Sequence, residues 1–186
     1  MEVLSVQVGR VQPLLVGDQS VISGIVKRPV SGMVAVRPLG LEGDEQADLS
    51  VHGGLAKAIY AYPVEHYDFW REQKRAWGLP DELPFGSLGE NLTISGLIEE
   101  SLYVGDVLDF PDCSLRVTQP RFPCYKFTAV MGHVQAARSM MRSGFSGFYL
   151  AVDRTGTLAA GQSFTLTPGP RAMPLMTTYR QRGQSQ

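Results

Sequence analysis

The octapeptide Gln119-Pro120-Arg121-Phe122-Pro123-Cys124-Tyr125-Lys126 places a thiol in a loop stiffened by two prolines. Each proline fixes its own φ and drives the residue before it into extended geometry, so Gln119 and Phe122 are expected to be extended and Cys124 to have a defined direction. Arg121 and Lys126 flank the thiol, and cations favour the thiolate. The spacing therefore predicts a lowered Cys124 pKa and a better nucleophile or metal ligand. The competing reading is a buried, inert cysteine, which is where most free cysteines sit. A second stretch, Val51-His52-Gly53-Gly54-Leu55-Ala56-Lys57, pairs two glycines with donors on either side. Such glycines let a backbone approach a ligand, as in an anion cradle, although a plain turn has the same pattern. A third, Gly89-Glu90-Asn91, brings a carboxylate and an amide to the start of a strand, where a turn-making role is the alternative.

These stretches need a scaffold, and 186 residues suffice for one domain with a core that needs no staples. The formal net charge of −1 gives no global electrostatic case for nucleic acid or an anionic membrane, so any anion site must be local. Cys113 and Cys124 make no disulfide framework and lack CxxC spacing, and with His52, His66 and His133 they match no usual zinc pattern. The N-terminal residues have neither the basic nor the apolar part of a signal peptide, and no run reaches the ~20 apolar residues of a membrane span. A cytoplasmic, reduced protein is expected.

Alternation of apolar and polar residues predicts short strands at 4–8, 21–25 and 32–36, then at 58–62, 102–110, 113–118, 148–152 and 163–167. Gly89-Glu90-Asn91 should lead into another at 92–94. Pro63 is well placed to open a helix running to Trp77, with Tyr67, Trp70 and Trp77 packing on the sheet. Thr128 to Arg142 carries a second helical stripe, with Thr128 as its N-cap. Cys113 shares a strand face with Leu115 and Val117 and is expected to be structural. His66 reads as a surface or packing histidine. Many short strands with two or three peripheral helices predict a mostly-β barrel in a single domain over 1–168. Residues 169–186 read as a partly disordered tail.

Three phrases in order, Gly40-Leu41-Glu42-Gly43-Asp44-Glu45-Gln46-Ala47-Asp48 running on to His52-Gly53-Gly54, then Gly89-Glu90-Asn91-Leu92, then the Cys124 octapeptide, closely resemble the MOSC domain family, in particular its stand-alone YiiM-type members. Tyr62-Pro63-Val64-Glu65-His66-Tyr67-Asp68-Phe69-Trp70 also looks like that group. The likeness spans roughly Val3 to Thr167, with the motif-rich part at about 30–167. It implies a compact β-barrel and a mononuclear molybdenum cofactor, a molybdopterin whose dithiolene gives the metal two sulfurs while Cys124 gives one. On the same basis His52, Gly53, Gly54, Lys57 and Arg121 are candidates for binding the pterin and its phosphate, with Asn91 as a hydrogen-bond partner. Glu90 would be a proton donor near the metal or an acceptor for the pterin amino groups.

The resemblance further implies reduction of N-hydroxylated compounds, such as hydroxylaminopurines, to amines. Since the chain has no iron–sulfur or flavin motif, electrons are expected from a separate flavin or iron–sulfur reductase. Longer relatives carry a helical extension after the barrel, which puts the donor and substrate of this chain in question. Other chemistries fit some of the same residues: sulfur transfer through a Cys124 persulfide, a non-catalytic cofactor carrier, a Schiff base on Lys57, or a Cys124–His52 hydrolase.

Overall fold

A computed structural model describes residues 1–48 and 53–183. The strands are β1 (Glu2–Val8), β2 (Gln12–Val16), β3 (Gln19–Ser23), β4 (Arg28–Val30), β5 (Val34–Arg37), β6 (Gly40–Leu41), β7 (Ile59–Pro63), β8 (Leu92–Ser95), β9 (Val107–Asp109), β10 (Ser114–Pro120), β11 (Phe148–Arg154), β12 (Gly156–Leu158) and β13 (Thr165–Thr167). The helices are α1 (Tyr67–Ala76), α2 (Tyr125–Met131), α3 (Ala136–Ser143) and α4 (Leu175–Gly183).

Eight strands form the main sheet in the order β13-β9-β10-β11-β7-β8-β1-β4, beside a β12-β5-β6 sheet and a β2-β3 hairpin. The pairings in the main sheet are antiparallel except β7 with β8, which are parallel and joined through α1. The protein is thus mostly β with a few helices, but its sheets are not closed into the expected barrel. The start of β1 does reach the segment before β13, through a Glu2–Ser163 bridge and the Val3 N–H to Gln162 O bond. That seam is confined to the first residues of β1. From Val6 onward the edge of β1 is taken by β4 instead.

Two apolar clusters fill the interior. One lies among the strands and includes Val3, Ile59, Leu92, Leu108, Cys113, Leu115 and Leu150. The other lies under α1 to α3 and includes Tyr62, Tyr67, Trp70, Phe127, Met131 and Met140. The aromatic stripe of α1 is core at Tyr67 and Trp70, which are fully buried, and the Trp70 indole N–H donates to the Tyr62 hydroxyl at 2.6 Å. Trp77 is only half-buried and stacks on His133. His66 is a packing residue, stacked on Phe145 and bonded through Nε2 to the buried Glu99 carboxylate at 2.7 Å.

The single helix expected over 128–142 is two. Gly132 adopts φ 73°, which ends α2 and leaves Val134 exposed before α3 begins. Cys124, rather than Thr128, occupies the N-cap position of α2. In the stretch read as a tail, Leu175, Met176 and Tyr179 lie on one face of α4 and are buried. Among the described residues no helix is long and apolar enough to cross a membrane.

Candidate functional site

Cys124 opens onto a cleft of about 690 Å³, counting its open mouth. Strand β10 ends at Pro120, and the four residues up to Cys124 cross from the sheet to α2. Each of these has its own restraint. The Arg121 N–H donates to Gly147 O, Phe122 stacks on Tyr179, and Pro123 is limited by its ring. Cys124 itself is extended, at φ −124° and ψ 175°, and its carbonyl accepts the first N–H groups of α2. Its thiol is partly exposed, whereas Cys113 is fully buried, and burial pushes the Cys113 thiol up to about 11. The two cysteines therefore stand in different environments, one inside the core and one at the cleft.

Arg121 is buried, and its guanidinium is held from several sides. It donates to the Leu88 carbonyl at 2.9 Å and the Tyr60 hydroxyl at 3.3 Å, and lies 4.8 Å from the ring centres of both Tyr60 and Phe127. No carboxylate pairs with it among the described residues. A buried cation without a counter-ion is costly unless something in the site balances it. Around it the described residues of the cleft lining include Lys27, Lys57, Arg121 and Lys126, four cations, against two carboxylates, Asp44 and Glu45.

Both carboxylates have local partners. Asp44 pairs with Lys27 and accepts the Gly9 N–H, and Glu45 accepts the Val11 N–H at 2.7 Å. Burial lowers the Lys27 pKa, against the pull of Asp44. Lys126 donates to Ile22 O at 3.0 Å, and the Lys57 ammonium lies 5.8 Å from the Tyr149 ring centre. Burial raises the Tyr149 hydroxyl pKa, opposed by Arg121 and reinforced by Cys124. Lys27 and Tyr149 had no signal of their own in the sequence, because only long-range folding brings them to the thiol. Lys126 was visible as the second cation of the octapeptide.

The other sequence candidates divide. Lys57, Asn91, Arg121 and Cys124 line the cleft. Asn91 spends its amide on the scaffold, accepting the Tyr60 N–H through Oδ1 and donating through Nδ2 to Gln7 O. Gly53 and Gly54 are not among the described lining residues. Gln46 occupies the space beside Gly53, where an added Cβ would lie 2.2 Å from its side-chain oxygen, and that oxygen accepts the Gly54 N–H at 2.8 Å. His52 lies outside the described residues.

Glu90 is also absent from the lining, despite its place between Gly89 and Asn91. It is completely buried and accepts from the Tyr67 hydroxyl, the Gly86 N–H, the Thr93 hydroxyl and the Leu88 N–H. Burial raises its pKa, against the pull of these donors. In this position the carboxylate ties the 86–89 turn to α1 and β8, and through Leu88 O it supports Arg121. Glu90→Ala would strip four buried donors of their acceptor. We expect a loss of about 4 kcal/mol and a melting point lower by roughly 10 °C in a thermal unfolding scan.

Residues 48–165 match the MOSC domain family. The chain is 38% identical over 164 residues to an uncharacterized protein, YflK, of Bacillus subtilis, covering 88% of this chain and 72% of that protein. It is 35% identical to Protein YiiM of Escherichia coli, over 84% of this chain and 68% of the other. A protein named Reductase from Gibberella moniliformis is 32% identical over 90% of this chain, which corresponds to only 29% of the fungal protein. The crystal structure of YiiM from Geobacillus stearothermophilus superposes with a TM-score of 0.77 at 29% identity, covering 99% of this chain and 84% of that one.

Proposed function

The chain belongs to the MOSC domain family, and on that premise we propose that its cleft binds a molybdenum–pterin cofactor through Cys124 and reduces N-hydroxylated compounds to amines. The observation that carries this reading is the pairing of a half-buried Cys124 with a buried Arg121 that has no carboxylate partner among the described residues, whose share of the lining holds four cations and two carboxylates. That donor set fits an anionic cofactor with its own soft-metal ligands. No group of three His, Cys, Asp or Glu residues gathers among the described residues, so a metal at Cys124 would take its other ligands from the cofactor.

Cys124 would be the protein's ligand to the metal, and Arg121, Lys57 and Lys126 would balance the charge of the dithiolene and phosphate. The cofactor, when bound, would supply a two-electron centre for oxygen-atom transfer. Tyr60, Phe122 and Tyr149 give the cleft aromatic walls that narrow the access of water. Lys27, paired with Asp44, stands at the wall, where burial lowers its pKa against the pull of that carboxylate. The net reaction consumes two electrons and two protons: R–NH–OH becomes R–NH₂ and water. The electrons would come from a separate flavin or iron–sulfur reductase. The reductase name of the fungal relative supports a redox reading of the same domain.

The test uses wild-type protein made in cells competent for cofactor synthesis. Molybdenum and pterin near one per chain are expected, with conversion of a hydroxylaminopurine to the aminopurine when a chemical reductant is supplied. Protein that held neither metal nor pterin under those conditions would overturn the reading and bring persulfide transfer by Cys124 forward.

A further inference from the structure

Helix α4 lies outside the segment that matches the family, yet it touches the Cys124 loop directly. The Tyr179 ring stacks on Phe122 with centres 5.2 Å apart and planes 15° from parallel. Phe122 lines the cleft and lies two residues before Cys124. Tyr179 is itself fixed. It is 2% exposed, and its hydroxyl donates to Met140 O at 2.8 Å, which ties α4 to α3. The N-terminal end of α4 is anchored as well: the Leu175 N–H donates to Leu102 O at 2.9 Å, Pro174 bridges to Tyr103, and Leu175 is completely buried.

The restraints on the loop have different sources. Those on Arg121 come from Leu88, Tyr60 and Gly147, all within the matched segment. The ring stacked on Phe122 comes from α4. Between the buried Arg121 and the ring of Pro123, this stack limits how far Phe122 can swing, and so where Cys124 points. We propose that Tyr179 is a positioning residue of the site, whose ring holds Phe122 and through it the loop that presents Cys124.

The value of this contact for catalysis rests on the cofactor-binding reading, but its effect on the loop can be measured without cofactor. Cys113 is buried, so iodoacetamide alkylation of the native apo-protein, mapped by mass spectrometry, reports on Cys124. Tyr179→Ala is expected to change the Cys124 alkylation rate at least fivefold, and Tyr179→Phe, which keeps the ring, to stay within twofold of wild type. Leu108→Ala, a core truncation in β9, serves as a control that lowers stability away from the loop, and should also stay within twofold. If Tyr179→Ala does not fold, Tyr179→Leu takes its place, keeping apolar volume without a ring to stack.

An unchanged alkylation rate in a folded ring-less variant, or an equal change in Leu108→Ala, would overturn the proposal. Molybdenum content provides the separate arm. Wild type lacking metal, with the alkylation pattern as expected, would refute the cofactor reading and leave Tyr179 as the support of the loop. In loaded protein, metal should leave Tyr179→Ala at least fivefold faster than wild type. Equal retention in the two would overturn the functional half of the proposal.

Discussion

On the cofactor reading proposed above, replacing Cys124 with serine should leave a folded protein that does not hold molybdenum. The partly exposed thiol makes no side-chain cap bond to α2, so the substitution removes little from the apo fold, within about 0.5 kcal/mol. A serine hydroxyl cannot replace a thiolate as a soft ligand at neutral pH. Loss of a direct ligand should cost more than the 10–100-fold typical of its supporting partners, so metal affinity and turnover should each fall by at least about 100-fold. The stability difference should then appear only with cofactor present. A ligand at about 1,000 times its Kd adds roughly 4 kcal/mol to the native state, and Cys124→Ser should forgo most of it. Paired metal analyses and melting curves, with and without cofactor, read both effects. A variant that kept stoichiometric molybdenum would remove Cys124 from the role of ligand.

Gly147→Ala should be among the most damaging single-methyl changes available. Gly147 sits just before β11 with φ 64°, a left-handed conformation that costs a non-glycine residue of order 1 kcal/mol or more. An added Cβ would lie 2.6 Å from Ala61 O, 2.7 Å from Tyr60 Cε2 and 2.8 Å from Tyr62 Cδ2. Two of these belong to buried rings and the third to the backbone of β7, so relief requires shifting strands. Overpacking of this kind adds about 1–3 kcal/mol, for a total near 4 kcal/mol and a melting point lower by roughly 10 °C. The damage should also reach the site. Tyr60 supports Arg121, and Gly147 O accepts the Arg121 N–H. Urea unfolding with an unchanged m-value would assign the loss to the native state.

The parts of the site that were legible in the sequence are those whose causes are local. Two prolines and two cations within eight residues make Cys124 conspicuous, and the alternation around Cys113 marks it as core. Glu90 lies off the cleft: Gly86, Leu88 and Thr93 are its near neighbours in sequence, but nothing in their types says that they close around its carboxylate, and the fourth partner, Tyr67, comes from α1. The glycine pair at 53–54 looked like a ligand cradle, whereas the side chain that demands a missing Cβ at Gly53 is Gln46 from the same chain. The break at Gly132 and the Leu175, Met176, Tyr179 stripe were present as signals, but the apolar spacing of 128–142 and the composition after Pro168 outweighed them. The mostly-β character followed from many short strands. Closure could not, because it depends on whether β4 or the segment before β13 takes the edge of β1.

The cleft gathers residues from Ser23 to Tyr149, and Asn91 fastens β7 to β1 across a parallel pair that no hairpin can form. Contacts between such distant points require loop closure over long stretches of chain, which slows folding. A fragment that lacks either end of this span lacks part of the lining. On the cofactor reading proposed above, insertion would need the segments from Ser23 to Tyr149 in place, and occupancy of the cleft would be a record of completed folding.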